Sequence, residues 1–211
     1  MNLIGTIAMG MGSSWISGIR LYAAVAMLGL LGRFANLKLP GELEVLTSWW
    51  IIGIALGLLV IEFFADKIPY LDTAWDVVHT FIRIPAGAVL AAVAFGDFDR
   101  RIQIVAFLVG GGLALSSHVT KASARAAVNL SPEPISNVVV SLVEDVVAVA
   151  SILLTVFLPI VLIILVAISV AVSIYLAPKI IRLFRGVVAS TRRVFARFVA
   201  QAVSLRRRFA N

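Results

Sequence analysis

The sequence contains no cysteine, which excludes disulfides, thiolate metal ligands and cysteine nucleophiles and removes any mark of redox compartment. Histidine is nearly as scarce: His79 and His118 are the only two, and their separation fits no zinc-ligand pattern. Charge is thin as well, with Asp, Glu, Lys and Arg making up 14% of the chain against about 25% in soluble domains. No P-loop, GxSxG or HExxH pattern occurs, so no cofactor or standard catalytic machinery is expected. No basic cluster precedes the first apolar stretch, whose first cation is Arg20. The N-terminus therefore reads as a retained helix and not as a cleavable signal.

What fills the space is apolar. Hydrophobic residues make up 61% of the 211 positions, and the mean hydropathy is +1.06. Such a chain needs lipid as solvent, because a water-facing surface could not be built from what remains. A bilayer span takes about 20 mostly apolar residues, and its backbone must be helical or shielded by protein. The runs predict an all-α, polytopic transmembrane bundle of six spans, at 4–32, 48–66, 73–95, 102–128, 135–156 and 158–177. Pro159 divides the last two. The stretch from Asn129 to Pro134, with two prolines and a serine, is expected to be a turn. Trp49 and Trp50 open the second helix at headgroup level. Gly53 and Gly57 within it have the GxxxG spacing of close helix contacts, which leaves a homo-oligomer open.

The net charge of +7 is uneven. Nine cations and no acid lie from Lys179 onward, which leaves nine Lys and Arg against eleven Asp and Glu in the body, a balance of −2. Residues 1–177 thus read as the transmembrane domain and 178–211 as a basic amphipathic tail, its arginines interleaved with Ile180, Phe184, Val188, Phe195 and Phe198. Such a tail suits anionic lipid, at roughly 1 kcal/mol per cation near the surface, and not nucleic acid. An excess of Lys and Arg marks the cytoplasmic side, and six spans put both termini there.

Ionisable groups inside spans are costly, about 2.5–3.5 kcal/mol each on insertion scales, and by default mark function. Glu62 and Asp66, followed by Lys67, lie four apart at the end of the second helix, and Asp72, Asp76, His79 and Arg83 form one stripe along the third. Pro85 and Gly87 follow, where the helix is expected to kink or break and expose backbone groups. Lys121 and Arg125 lie four apart on the fourth helix, Glu144 and Asp145 stand side by side on the fifth, and Arg20 sits mid-way along the first. Natural ion pairs are Arg20 with Glu62, and Lys121 or Arg125 with Glu144 or Asp145. Asp66, Lys67 and Asp72, close to helix ends, are expected to be solvated or snorkelling. Glu62, Asp66, Asp76, Glu144 and Asp145 could supply oxygen ligands to a hard cation, and the arginines and lysines could hold phosphate. The Ser/Gly-then-basic pattern of helices one and four suggests a three-plus-three inverted repeat.

The run from Glu62 through Asp66-Lys67, Pro69, Asp72, Trp75-Asp76 and His79-Thr80 to Arg83, with Ser17–Arg20, Thr120-Lys121, Arg125 and Glu144-Asp145, resembles a bacterial membrane family, domain of unknown function 4126. The resemblance covers about residues 5–177. It implies a multi-span inner-membrane protein and carries no activity with it.

Three functional readings follow. The first is a transporter or permease whose charged groups line a site for an ionic substrate. A phosphate-bearing small molecule or lipid headgroup would use Arg20, Arg83, Lys121 and Arg125, whereas a cation would use the acids. The second is a non-transporting scaffold or assembly factor held by structural salt bridges. The third, ranked last because no nucleophile–base pair is recognisable, is a lipid-modifying enzyme using Asp76, His79 and Arg83.

Overall fold

A computed structural model describes residues 2–35, 37–68, 70–129, 134–179 and 182. The expected 130–133 turn and nearly all of the basic tail lie outside these. The described residues form α1 (Leu3–Phe34), a 3-10 helix (Gly41–Thr47), α2 (Trp49–Ala65), α3 (Leu71–Ala94), α4 (Arg100–Asn129) and α5 (Pro134–Phe157). A last helix, α6 (Pro159–Lys179), starts after the single residue Leu158. Pro159 is its first residue, where a missing N–H costs nothing. Among the described residues there is no strand. The chain divides into two units, Met1–Ala171 and Val172–Asn211, and the first holds every charged group discussed below.

Five helices (α1, α3, α4, α5 and α6) are long and apolar enough to cross a membrane, and a sixth crossing counts the 3-10 helix with α2, bent by 71°. The unit keeps its ionisable groups inside, beside apolar clusters, and turns large apolar side chains outward. On α3, Phe81 is 79% exposed while Arg83, two residues on, is 0% exposed. Ile54, Val60 and Phe64 on α2 and Leu142, Val143 and Val146 on α5 likewise face outward. This is the arrangement that lipid, and not water, stabilises.

α1 is one helix only by its hydrogen-bond pattern. At Arg20 the backbone leaves the helical region (φ −143°, ψ 75°), separating a first arm, 3–19, from a second, 21–34. The first arm runs antiparallel to α3: the Ser17 hydroxyl donates to the Arg83 carbonyl (3.2 Å), the Ser14 hydroxyl to that of Gly87 (2.7 Å), and Gly10 lies against Ala94 and Phe95. The second arm runs the other way. Tyr22 meets His79 near the start of α3, and Leu28 shares an apolar cluster with Leu90 and Ala94. Gly29 packs on Leu46 in the 3-10 helix, whose first residue, Gly41, packs on Val93–Gly96. Both arms thus lead from Arg20 toward the C-terminal end of α3, and Arg20 is the apex of a V.

The break expected at Pro85 is not made. α3 continues through that proline to Ala94, packed on Ser14 and Ser17 of α1. The inverted repeat is not supported either. Ser14 lies beside Gly110, Trp15 and Gly18 beside Ser117, and Ile19 beside Lys121. The first arm of α1 and α4 therefore run parallel, whereas an inverted pair would run opposite. Gly53 and Gly57 face outward with nothing within 4 Å of where a Cβ would sit. The close approach is made elsewhere: a Cβ on Gly18 would overlap the Ala114 carbonyl, bringing α1 and α4 to backbone contact.

Candidate functional site

Three parts of the chain meet at one end of the unit: the Arg20 apex, the α2–α3 connection after Ala65, and the facing ends of α4 and α5 that carry Arg125 and Asn137. Each delivers ionisable side chains to the same place, and all eleven sequence-level site residues lie in or beside the resulting cluster.

Arg20 is its hub. One guanidinium nitrogen pairs with Asp66 and stands 4.0 Å from Glu62. The other reaches Asp145 (2.9 Å), Glu144 (3.8 Å) and the Ser141 hydroxyl (3.1 Å). Arg83, buried more than three turns into α3, pairs with Glu62 and reaches back to Asp76 (2.6 Å). Lys121 donates to Asp66 (3.1 Å) and to the Ile19 carbonyl (3.2 Å), and lies 3.3 Å from Asp76 and 3.6 Å from Glu144. Arg125 grips Glu144 with two parallel bonds (3.0 and 2.6 Å). It also donates to the Asp66 carbonyl (2.6 Å), Asn137 (3.0 Å) and Asp72 (3.4 Å). The fork geometry of arginine suits such shared, bidentate pairing.

Asp66 and Asp72 are fully buried, contrary to the expectation of solvated helix-end charges. The α2–α3 connection is covered by Arg125, Lys121 and Arg20, so its carboxylates face protein. Lys67 lies at the edge, its ammonium 3.0 Å from the centroid of the Phe63 ring and 3.9 Å from Asp145. Burial draws its pKa below the usual lysine value, against the opposing pull of Asp145.

The histidines do not pair with metal-binding partners. His79 stacks on Trp75 (4.2 Å) and hydrogen-bonds through Nδ1 to the Trp75 carbonyl (2.8 Å) and through Nε2 to Tyr22 (3.0 Å). His118 sits between the Gly18 carbonyl (Nδ1, 3.3 Å) and Thr80 (Nε2, 2.7 Å), and Thr80 can also donate to the Asp76 carbonyl (2.9 Å). That arrangement can hold His118 in either protonation state. Neutral, it accepts the Thr80 hydrogen; charged, it donates to Thr80, which turns to Asp76. Among the described residues no group of three or more His, Asp or Glu forms a metal-binding set, so the hard-cation ligand shell expected from the five acids is not assembled. Those acids are taken up by arginine and lysine instead.

Among the described residues the charges do not cancel. Glu62, Asp66, Asp72, Asp76, Glu144 and Asp145 are six carboxylates; Arg20, Arg83, Lys121, Arg125 and the edge residue Lys67 are five cations. Fully ionised, with neutral histidines, the cluster keeps one negative charge. One oxygen each of Glu62, Asp66, Asp76 and Asp145, and the Nε of Arg20 and of Arg83, are buried without a hydrogen-bond partner. A cavity of about 70 Å³, lined by Thr73, Asp76, Thr80, His118 and Arg125, opens beside Asp76 between α3 and α4, room for a few water molecules.

A family model described as Domain of unknown function (DUF4126) matches residues 7–179. The chain belongs to the DUF4126 family. No curated protein and no solved structure shows significant similarity to it. The DUF4126 match takes in all six helices, and every member of the charge cluster falls inside it.

Several of the cluster's partners escaped the sequence reading. Asn137 and Ser141 precede Glu144 and Asp145 at helical spacing, and that polar stripe on an otherwise apolar helix was the available signal. Tyr22 gave none, because a single hydroxyl on a long helix is commonplace, and Thr80 stood in the family-like run without a role of its own.

Proposed function

We propose that this membrane protein is a carrier for a monovalent cation, with the buried charge cluster as its site and a proton as the exchanged ion. The observation that carries the reading is the surplus carboxylate: among the described residues, six acids face five bases in a largely buried cluster. Uncompensated charge in such a cluster is costly, and a bound cation or proton removes the cost. The same arithmetic disfavours phosphate, because Arg20, Arg83, Lys121 and Arg125 are each already engaged by two or more oxygens. The small polar cavity beside Asp76 and His118 gives a proton its way in, with His118 and Thr80 as the groups that pass it. The protein would sit in a bacterial inner membrane, its basic tail on anionic cytoplasmic lipid, and act without catalysis.

The density of pairing favours a second reading, a scaffold or assembly factor in which these ion pairs only fix helix positions. The two part on transport. In liposomes loaded with a pH-sensitive dye, the carrier moves protons when a cation gradient is applied, and Asp76→Asn or His118→Ala abolishes the flux. No proton movement with any inorganic or organic cation, from protein that remains folded, would leave the scaffold reading in possession.

A further inference from the structure

The cavity that reaches the cluster from the lipid side is larger than the polar one and chemically different. α4 and α5 are tied together at their cluster ends by the Arg125–Glu144 and Arg125–Asn137 bonds, and little else joins them. Between them and the first arm of α1 lies a cleft of about 320 Å³, at the small end of ligand sites. Its walls are apolar, with Trp15, Ile19, Ala124 and Val143 among them, and its floor is Lys121 and Glu144. Val143 and its neighbours Leu142 and Val146 on α5 are exposed, so the mouth opens to lipid.

The floor decides what fits. Lys121 has three hydrogens and four oxygens around its Nζ within 3.6 Å, so it has nothing to offer an anion. Glu144 is the one carboxylate lining the cleft, with its side chain 11% accessible; each of its oxygens accepts one bond from Arg125 and keeps a further lone pair, and among the described residues its cluster has one surplus negative charge. Trp15, whose ring type attracts cations, lines the same cleft. Largely apolar walls, a carboxylate and an indole together suit a positive charge carried on an apolar body.

We infer that the cleft between α4 and α5 binds a hydrophobic organic cation, which enters sideways from the bilayer and places its charge beside Glu144. The inference rests on the carrier reading and supplies its substrate class. One bound monovalent cation brings the cluster to neutrality, and the apolar body takes the place of lipid among Trp15, Ile19 and Val143.

The test is equilibrium binding of tetraphenylphosphonium, with tetraphenylborate as the anion of matching shape, to the detergent-purified full-length protein. The phosphonium should bind at one per chain, at least about tenfold more tightly than the borate, since the borate would set a like charge beside Glu144. Ala124→Trp fills the cleft without touching an ion pair and should weaken binding by at least tenfold at unchanged melting temperature. Glu144→Gln should also weaken binding by at least tenfold, with a lower melting temperature because Arg125 loses its charged partner, and the quenching of tryptophan fluorescence expected on phosphonium binding should be lost in Trp15→Phe. Equal binding of borate, unchanged binding in Ala124→Trp, or no phosphonium binding would each overturn the inference. Proton flux driven by inorganic cations, with no phosphonium bound, sinks the cleft and spares the carrier. Phosphonium binding of the expected kind without flux sinks the carrier and leaves the cleft as a binding site.

Discussion

Because the cluster carries surplus negative charge, removing a base should harm the protein far more than removing an acid. Arg83 and Glu62 make the cleanest pair, since both are 0% exposed and they contact one another directly. Arg83→Met deletes the cation held by Glu62 and Asp76 at once, and raises the surplus from one negative charge to two. Breaking a buried pair in this way costs about 3–5 kcal/mol, because the partner stays charged without compensation. For a unit of this size each kcal/mol moves the melting temperature by roughly 2–4 °C, so a fall on the order of 10 °C is expected. Glu62→Gln removes the surplus instead. Its amide oxygen can still accept from Arg83, and Arg83 keeps Asp76 at 2.6 Å, so the cost should stay near or below about 1 kcal/mol. Combined, the two substitutions should cost less than their sum, with a coupling of roughly 1–3 kcal/mol. The assay is thermal unfolding in mild detergent at pH 7, repeated at 0.15 and 1 M salt. Burial makes the difference insensitive to salt. A larger loss from Glu62→Gln than from Arg83→Met would refute the charge count, and with it the reason for preferring a cation as substrate.

Gly18→Ala should destabilise by about 1–3 kcal/mol in the same melts, because its Cβ would meet the Ala114 carbonyl oxygen and not a movable side chain. Gly53→Ala and Gly57→Ala, with open space around them, should leave the melting temperature unchanged or slightly raised. Tyr70 holds φ at 68° beside the cluster with its side chain 64% exposed, so Tyr70→Gly should stabilise by up to about 1 kcal/mol. The absence of native cysteine makes single-cysteine labelling clean. Cysteines at Asn2 and Glu44 should react with a membrane-impermeant maleimide from the same side, since both arms of α1 lead back to one end, and a cysteine at Phe81 should not react. Labelling of Asn2 and Glu44 from opposite sides would make α1 a single straight crossing and refute the V.

The helices were legible because apolar runs of membrane length leave little choice, and α1 to α6 begin and end within a few residues of their expected bounds. The gathering of charge was legible too, since acids and bases in spans must find one another. The geometry that gathers them was not. The segment from Ser17 to Leu21 contains nothing that forbids a helix, and Pro85 does, yet the helix breaks at Arg20 and runs straight through Pro85. The difference is tertiary. α3 is held on both sides of Pro85 by the serine hydroxyls of α1 that bond the Arg83 and Gly87 carbonyls, and this packing outweighs the one helix bond, to the Phe81 carbonyl, that the proline cannot make. At Arg20 the break lets one guanidinium serve carboxylates from α2, the α2–α3 connection and α5 together, which no mid-helix arginine pointing in one direction could do. The same apex explains why Asp66 and Asp72 are buried where their position at a helix end suggested water. A turn flanked by two acids can enter a membrane protein only if cations meet it there, and the folded-back α1, with the ends of α4 and α5, brings three of them: Arg20, Lys121 and Arg125.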